Sequence, residues 1–195
     1  VTDGEKEAHF EVFRDRCGMN WHLASKTVKT TATAVALSRI IKGSAAARTT
    51  HPVFAKIDVD GGEARILKSI DESINLGSLR ALPEVIIEIN ARFWKSFGTT
   101  YEEGEAIFRA FGARYTTIYY FDAYKMNRYG RSACEAQPAA QALLEPCPRC
   151  VPANAPAGMQ IKRVINFAKL LAICVKQDRL GDPKAHGQMN VWFAG

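Results

Sequence analysis

Residues 53–75, VFAKIDVDGGEARILKSIDESIN, constrain this chain more than any other segment. Val53, Phe54, Ile57 and Val59 make a short apolar run bounded by Pro52 and by Gly61-Gly62. Such a run suits a parallel strand covered on both faces, where alternation is lost because neither face meets water. From about Glu63 the spacing changes, and Ile66, Leu67, Ile70 and Ile74 fall on one helical stripe. A strand that turns through an acidic, glycine-bearing corner into an amphipathic helix points to an α/β fold.

The rest of the chain continues that alternation. Pro83 introduces a second short apolar run, EVIIEIN at 84–90. Thr100 with Glu103 makes a capping-box pattern ahead of a helix. Its buried side is read as Ala106, Ile107, Ala110 and Phe111, with Gly112 placed for a left-handed C-terminal cap. A third strand is expected over 114–121, RYTTIYYF. Upstream, AHFEVF at 8–13 alternates as a half-buried strand does, and a short strand is expected near 27–31. A helix over 34–42, stopped by Gly43, and a loop of small residues then lead to Pro52.

Downstream, residues 132–158 hold three cysteines among Ala and Pro and read as an irregular insertion. Residues 161–175 read as one amphipathic helix, with Ile161, Val164, Ile165, Ala168, Leu171, Ala172 and Val175 on a face that docks on a sheet. NVWFA at 190–194 is a final strand. Together these predict a single partial domain over 1–195, with a Rossmann-like, mainly parallel sheet and helices on both faces.

At 195 residues, 47% hydrophobic and 24% charged, the chain has the composition of a globular domain with a real core. No apolar run has the length needed to span a bilayer, and VTDGEKEAHF lacks a signal pattern, so a soluble, cytoplasmic protein is expected, with no membrane partner. The net charge of +6 draws anionic partners, yet Lys and Arg are scattered and no basic run alternates with aromatics. Nucleic acid is therefore not an expected partner. Oligomeric state is not legible.

Five cysteines without a secretory signal argue against a disulfide framework, and Cys174 reads as core packing. Cys147-Pro148-Arg149-Cys150 is a lone CxxC. With Cys134 and His186 it has the makings of a structural zinc site; free thiols or a local disulfide are the alternatives.

Ligands in open α/β sheets bind outside the carboxyl ends of strands. That rule picks out Asp58, Asp60 and Glu63 after one strand, and Glu88 and Asn90 at the end of the next. A plain structural role explains two of these groups, with Asp60 capping the helix and Glu63 favouring its dipole. It explains Asp58 poorly, because Asp58 is read inside the apolar run, where a charge is costly. Arg92 and Trp94 follow the second strand and line a prospective acceptor pocket; an ordinary solvated Arg and a half-buried Trp is the alternative.

On these residues the chain resembles the FkbM-type, S-adenosylmethionine-dependent methyltransferases of class I. KIDVDGGEARIL is similar to the family's K-I-D-V-E-G-x-E-x-x-x-L segment: Asp58, Gly61, Glu63 and Leu67 match, and Asp60 stands for the usual Glu. PEVIIEIN resembles the next strand, which usually ends Glu-x-His, with Asn90 in the His place. VTDGEKEAHFEVF and VKTTATAVALSRII resemble the earlier strand and the V-x-T-x-T-L-D-x-L-L segment, without its Leu-Asp. GARYTTIYYF and NVWFA resemble the last two strands; residues 132–158 have no counterpart.

The resemblance implies a class I sheet with an antiparallel last strand, and methyl transfer to a hydroxyl of a small-molecule or carbohydrate acceptor. It implies Asp58 and Glu88 as catalytic groups, and Asp58, Asp60 and Gly61 beside the cofactor, S-adenosylmethionine. It implies Glu63, Asn90, Arg92 and Trp94 on the substrate side. The family's early D-x-G-A-x-x-G turn is absent, so the chain reads as a fragment or divergent form that lacks half the donor site and is inactive alone. Asp58, Glu88 and Asn90 are oxygen donors that a Mg²⁺ ion accepts, but direct bonding to substrate explains them as well, and no metal ligand is assigned. The competing reading is a non-catalytic binding or scaffolding module on a degenerate methyltransferase fold.

Overall fold

A computed structural model describes residues 6–11, 13–15, 18–20, 29–34, 53–79, 81–121, 134, 136–152, 159–179 and 189–195, the first four stretches as backbone alone. Those four are strands: β1 (Lys6–Glu11), β2 (Phe13–Asp15), β3 (Gly18–Asn20) and β4 (Lys29–Ala34). β1 pairs antiparallel with β4, and β2 with β3, as two separate two-stranded sheets. The single strand expected at 8–13 falls on two, with β1 ending at Glu11 and β2 opening at Phe13, and the short strand expected near 27–31 is found as β4, which runs to Ala34. The helix and loop expected between 34 and Pro52 lie outside the described residues, except that Ala34 belongs to β4.

Six further strands form the main sheet: β5 (Phe54–Ile57), β6 (Glu84–Ile89), β7 (Thr117–Phe121), β8 (Leu144–Pro146), β9 (Ile161–Val164) and β10 (Met189–Ala194). Their order is β5-β6-β10-β7-β9-β8. Only β5 and β6 pair in parallel; the other four pairings are antiparallel. The sheet is thus mixed, not mainly parallel. β10 inserts antiparallel between β6 and β7, and β9 and β8 extend the sheet beyond β7 by antiparallel pairing.

Helix α1 (Glu63–Asn75) crosses from β5 to β6, and α2 (Tyr101–Gly112) precedes β7. A single turn, α3 (Pro138–Gln141), precedes β8, and α4 (Phe167–Arg179) follows β9. α1 packs on α2 and α2 on α4, so the three long helices share one layer. Val85, Ile87 and Ile89 of β6, Ile118 and Tyr120 of β7, and Val191 and Phe193 of β10 are buried beneath it. Their neighbours along the strands, Glu84, Ile86, Glu88, Tyr119 and Trp192, are half-buried. Among the described residues the helices therefore cover one face, not both. Residues 53–59, expected to be covered on both faces, instead give β5 at the edge of the described sheet, with Phe54 and Lys56 exposed.

Local chemistry explains where the helices begin and end. Thr100 accepts from the Glu103 backbone N–H at 3.1 Å and caps α2, as the sequence suggests. The buried face of α2 is Gly104, Phe108, Phe111 and Gly112, while Ala106 and Ala110 are exposed. Gly112 is not the cap; it lies in the helix, and a Cβ there would stand 2.6 Å from Phe167 Cδ1. It lets α4 approach α2.

Residues 161–175 are not one helix. Ile161–Val164 is strand, and Asn166 then caps α4, its Oδ1 accepting from the Lys169 N–H at 3.0 Å. Phe167, Leu170, Leu171, Cys174 and Val175 face the core, with Ala168 and Ala172 outward.

The segment read as an irregular insertion contributes α3, β8 and a 3₁₀ turn, Pro148–Cys150, to the sheet edge. It also carries cysteines in two disulfides: Cys147–Cys150 is the local disulfide weighed as an alternative, whereas Cys134–Cys174 runs against the expected absence of a disulfide framework. Cys174 is buried as expected, but bonded. With all three sulfurs held in S–S bonds, none is a thiolate, and the zinc reading fails for Cys134, Cys147 and Cys150; His186 lies outside the described residues. No helix among the described residues is long and apolar enough to cross a membrane.

Candidate functional site

β5 and β6 pair with Ile57 level with Ile87, so their carboxyl ends lie side by side. One step beyond the strand, Asp58 lies level with Glu88. β5 ends at Ile57, which puts Asp58 past the apolar run rather than inside it. Its side chain is exposed and paired with Lys56 Nζ, so it is cheaply solvated. The argument from a costly buried charge therefore does not apply to Asp58.

Asn90, buried at the end of β6, ties the cluster together. Its Nδ2 donates to Asp60 Oδ1 at 2.9 Å and to Glu88 Oε1 at 3.1 Å. The amide thus bridges two carboxylates that would otherwise repel. Asp60 does not cap α1; the N-cap is Gly62, with no side-chain cap bond. Half-burial pushes the Glu88 carboxyl up, and the Asp58 and Asp60 charges push the same way, while Asn90 and Lys56 oppose them. Asn190 stands in register with Glu88 on one side and Phe121 on the other, and is itself buried. Sequence reasoning missed Asn190; the signal was a polar residue opening an otherwise apolar strand.

Glu63 is fully buried beneath this rim. Its Oε1 accepts from the N–H of Gly61 at 3.0 Å and of Asn90 at 3.3 Å, and its Oε2 from Trp94 Nε1 at 3.1 Å. Burial raises its carboxyl to about 7, further than the N–H groups of Gly61, Trp94 and Asn90 and its own backbone N–H pull it down. Glu63 therefore orients the Gly61 turn and the end of β6 from within, and does not reach a substrate.

Trp94 and Arg92 also depart from the acceptor-pocket expectation. Trp94 is fully buried, stacked on Phe108 with centroids 5.6 Å apart. The Arg92 guanidinium lies over the Phe93 ring, and its backbone N–H donates to Asp178 of α4 at 2.6 Å. Both serve the 3₁₀ segment Ala91–Phe97 that closes the end of β6.

Gly61 has φ +97°, and a Cβ there would lie 2.6 Å from Phe97 and 2.7 Å from Phe93. The close approach that requires glycine is thus to the Phe97 ring and to the Cβ and carbonyl oxygen of Phe93, not to a ligand. With Gly61 packed and Asp60 held by Asn90, these residues do not form a cradle for S-adenosylmethionine. Among the described residues no group of three His, Cys, Asp or Glu side chains is arranged to hold a metal ion.

A cavity of about 320 Å³ lies at the opposite end of the sheet, where β7 begins and β9 ends. Arg109, Tyr115, Thr116, Val164 and Asn166 line it, and it contains none of the predicted site residues. A scan against protein-family models, a search of curated proteins and a search of solved structures each find no match to this chain.

Proposed function

We propose that this chain carries the acceptor side of an S-adenosylmethionine-dependent O-methyltransferase of the FkbM type, acting on a hydroxyl of a small molecule or sugar. The observation that carries this reading is the meeting of Asp58, Asp60, Glu88 and Asn90 at the carboxyl ends of two adjacent parallel strands. The antiparallel last strand, β10, supports it. The donor's contribution is an electrophilic methyl group on sulfur. The chain's own residues receive the acceptor's proton and orient its hydroxyl. Glu88 suits the base role better than Asp58, because half-burial raises its proton affinity while Asn90 holds it in place. Asp58, exposed and paired with Lys56, is accessible to the acceptor.

One observation favours the non-catalytic module instead: Asn90 already satisfies both Asp60 and Glu88, and the 195 residues contain no glycine-rich donor turn. Calorimetry and methyl-transfer assays on the product of the complete gene separate the two. The enzyme reading expects S-adenosylmethionine to bind. It also expects Glu88→Gln to lower turnover by roughly 10²–10⁴-fold while donor affinity stays within a few-fold. Absence of both donor binding and methyl transfer would leave the module.

A further inference from the structure

The two disulfides occupy opposite environments. Cys134 and Cys174 are buried and join partners 40 residues apart, fixing α4 to the segment before α3. Cys147 and Cys150 are 3 residues apart, across a turn whose middle residues, Pro148 and Arg149, are exposed. A bond that closes so short a loop removes little freedom from the unfolded chain, so stability is a weak reason for it. Partly accessible sulfurs in a CxxC arrangement, with a guanidinium-bearing residue between them, are what thiol–disulfide exchange needs. The cation favours the departing thiolate, and the short spacing lets the second thiol reclose the ring.

The turn also has a defined place in the sheet. The Cys147 N–H donates to Ile161 O at 2.9 Å, continuing the β8–β9 ladder past Pro146. Ile161 is in register with Phe121, Phe121 with Asn190, and Asn190 with Glu88. The CxxC turn therefore stands on the same rim as the carboxylate cluster, four strand spacings away, or about 19 Å.

We propose that Cys147–Cys150 is a reversible dithiol–disulfide site, reduced by dithiol proteins or small dithiols, and that Cys134–Cys174 is a permanent structural bond. In the exchange a thiolate of the external dithiol attacks one of the two sulfurs, and the Cys147–Cys150 bond breaks. The released thiolate takes up a proton. The dithiol's second thiol then resolves the mixed disulfide, so two electrons and two protons pass to Cys147 and Cys150 and the external dithiol becomes a disulfide. The site is independent of the methyltransferase reading.

The test is to equilibrate the native full chain in buffers of graded reduced and oxidised dithiothreitol, trap thiols with a maleimide, and map each cysteine by mass spectrometry. Cleavage after Arg149 separates Cys147 from Cys150, and mapping keeps Cys17 from confusing the count. The expected result is labelling of Cys147 and Cys150 at least tenfold lower in the reduced-to-oxidised ratio than labelling of Cys134 and Cys174, with circular dichroism unchanged. Arg149→Gln, which lacks that cleavage site and is read as one doubly labelled peptide, should slow the opening several-fold while leaving the fold intact, and reoxidation should restore the bond. Opening of both pairs together, or of Cys147–Cys150 only as the protein unfolds, would overturn the proposal. So would an opening rate in Arg149→Gln equal to that of the parent.

Discussion

Glu63 and Phe193 are both fully buried on the helical side of one sheet, yet they hold their regions by different physics. Phe193 meets Phe111, Tyr115 and Phe167 at centroid distances of 5.2–5.3 Å. That region, where β10 and β7 pass under α2 and α4, depends on dispersion and exclusion of water. Glu63 meets three N–H donors, and the region around β5 and β6 depends on their direction. The apolar region has no group that titrates between pH 5 and 8, its Tyr115 hydroxyl being held protonated by burial, and it supplies a rigid floor. The polar region fixes the backbone of Gly61 and Asn90, and through Asn90 the carboxylates of the rim. Its geometry is specified more closely, but it depends on the charge of one group.

The largest effect should come from breaking the apolar region. Phe193→Ala leaves a cavity among three rings and is expected to cost roughly 3–5 kcal/mol. Urea unfolding at pH 5 and pH 8 should give the same loss. A loss that changed with pH would mean the two regions are not separable.

The next effect sharpens the polar side. The Glu63 carboxyl is pushed up to about 7 in the folded chain from its ordinary 4.5. Between those values the folded state keeps a proton that the unfolded state has released. Stability therefore falls as pH rises from 4.5 through 7, by on the order of 3 kcal/mol, and stays lower above. Glu63→Gln has no such proton to lose. Relative to the parent it should gain about that amount between pH 4.5 and 8. Because glutamine has one oxygen for the Gly61 and Asn90 donors, its amide must face the Trp94 N–H, so at pH 4.5 the variant should be weaker by about 1–3 kcal/mol. Parallel pH–stability curves for the two proteins would refute the role given to Glu63.

The strand–turn–helix of residues 53–75 was legible because every determinant is local: an apolar run, a glycine corner, a helical stripe. Thr100 was legible for the same reason. What sequence spacing did not reveal depends on contacts made later. The apolar periodicity runs straight through Asn166, where the cap bond to Lys169 and the Ile165 N–H bond to Leu143 O divide β9 from α4. Pairing of Cys134 with Cys174 requires α4 to lie against the segment before α3. Burial of Glu63 requires Asn90 and Trp94, 27 and 31 residues on, to arrive from the end of β6 and the 3₁₀ segment after it. Asn190 joins the candidate site only because β10 inserts beside β6. The rim carboxylates Asp58 and Glu88 could be named from strand ends, but which of them is partly desolvated could not.

The smallest effect concerns that last distinction. Lys56 and Asp58 are paired in the open, at 66% and 56% side-chain exposure. An exposed pair of this kind contributes about 0–1 kcal/mol and is screened by salt. Lys56→Ala should therefore change stability by less than about 1 kcal/mol, and the difference should vanish in concentrated salt. It removes a cation near Glu88, whose carboxyl it helps to hold down. Glu88 should then titrate at a higher pH, measurable by carbon-13 NMR of the side chain. If Lys56→Ala costs several kcal/mol, or leaves the Glu88 titration unmoved, then Asp58 and Glu88 do not share one electrostatic site, and the contrast between a fixed interior carboxylate and a responsive rim would have to be withdrawn.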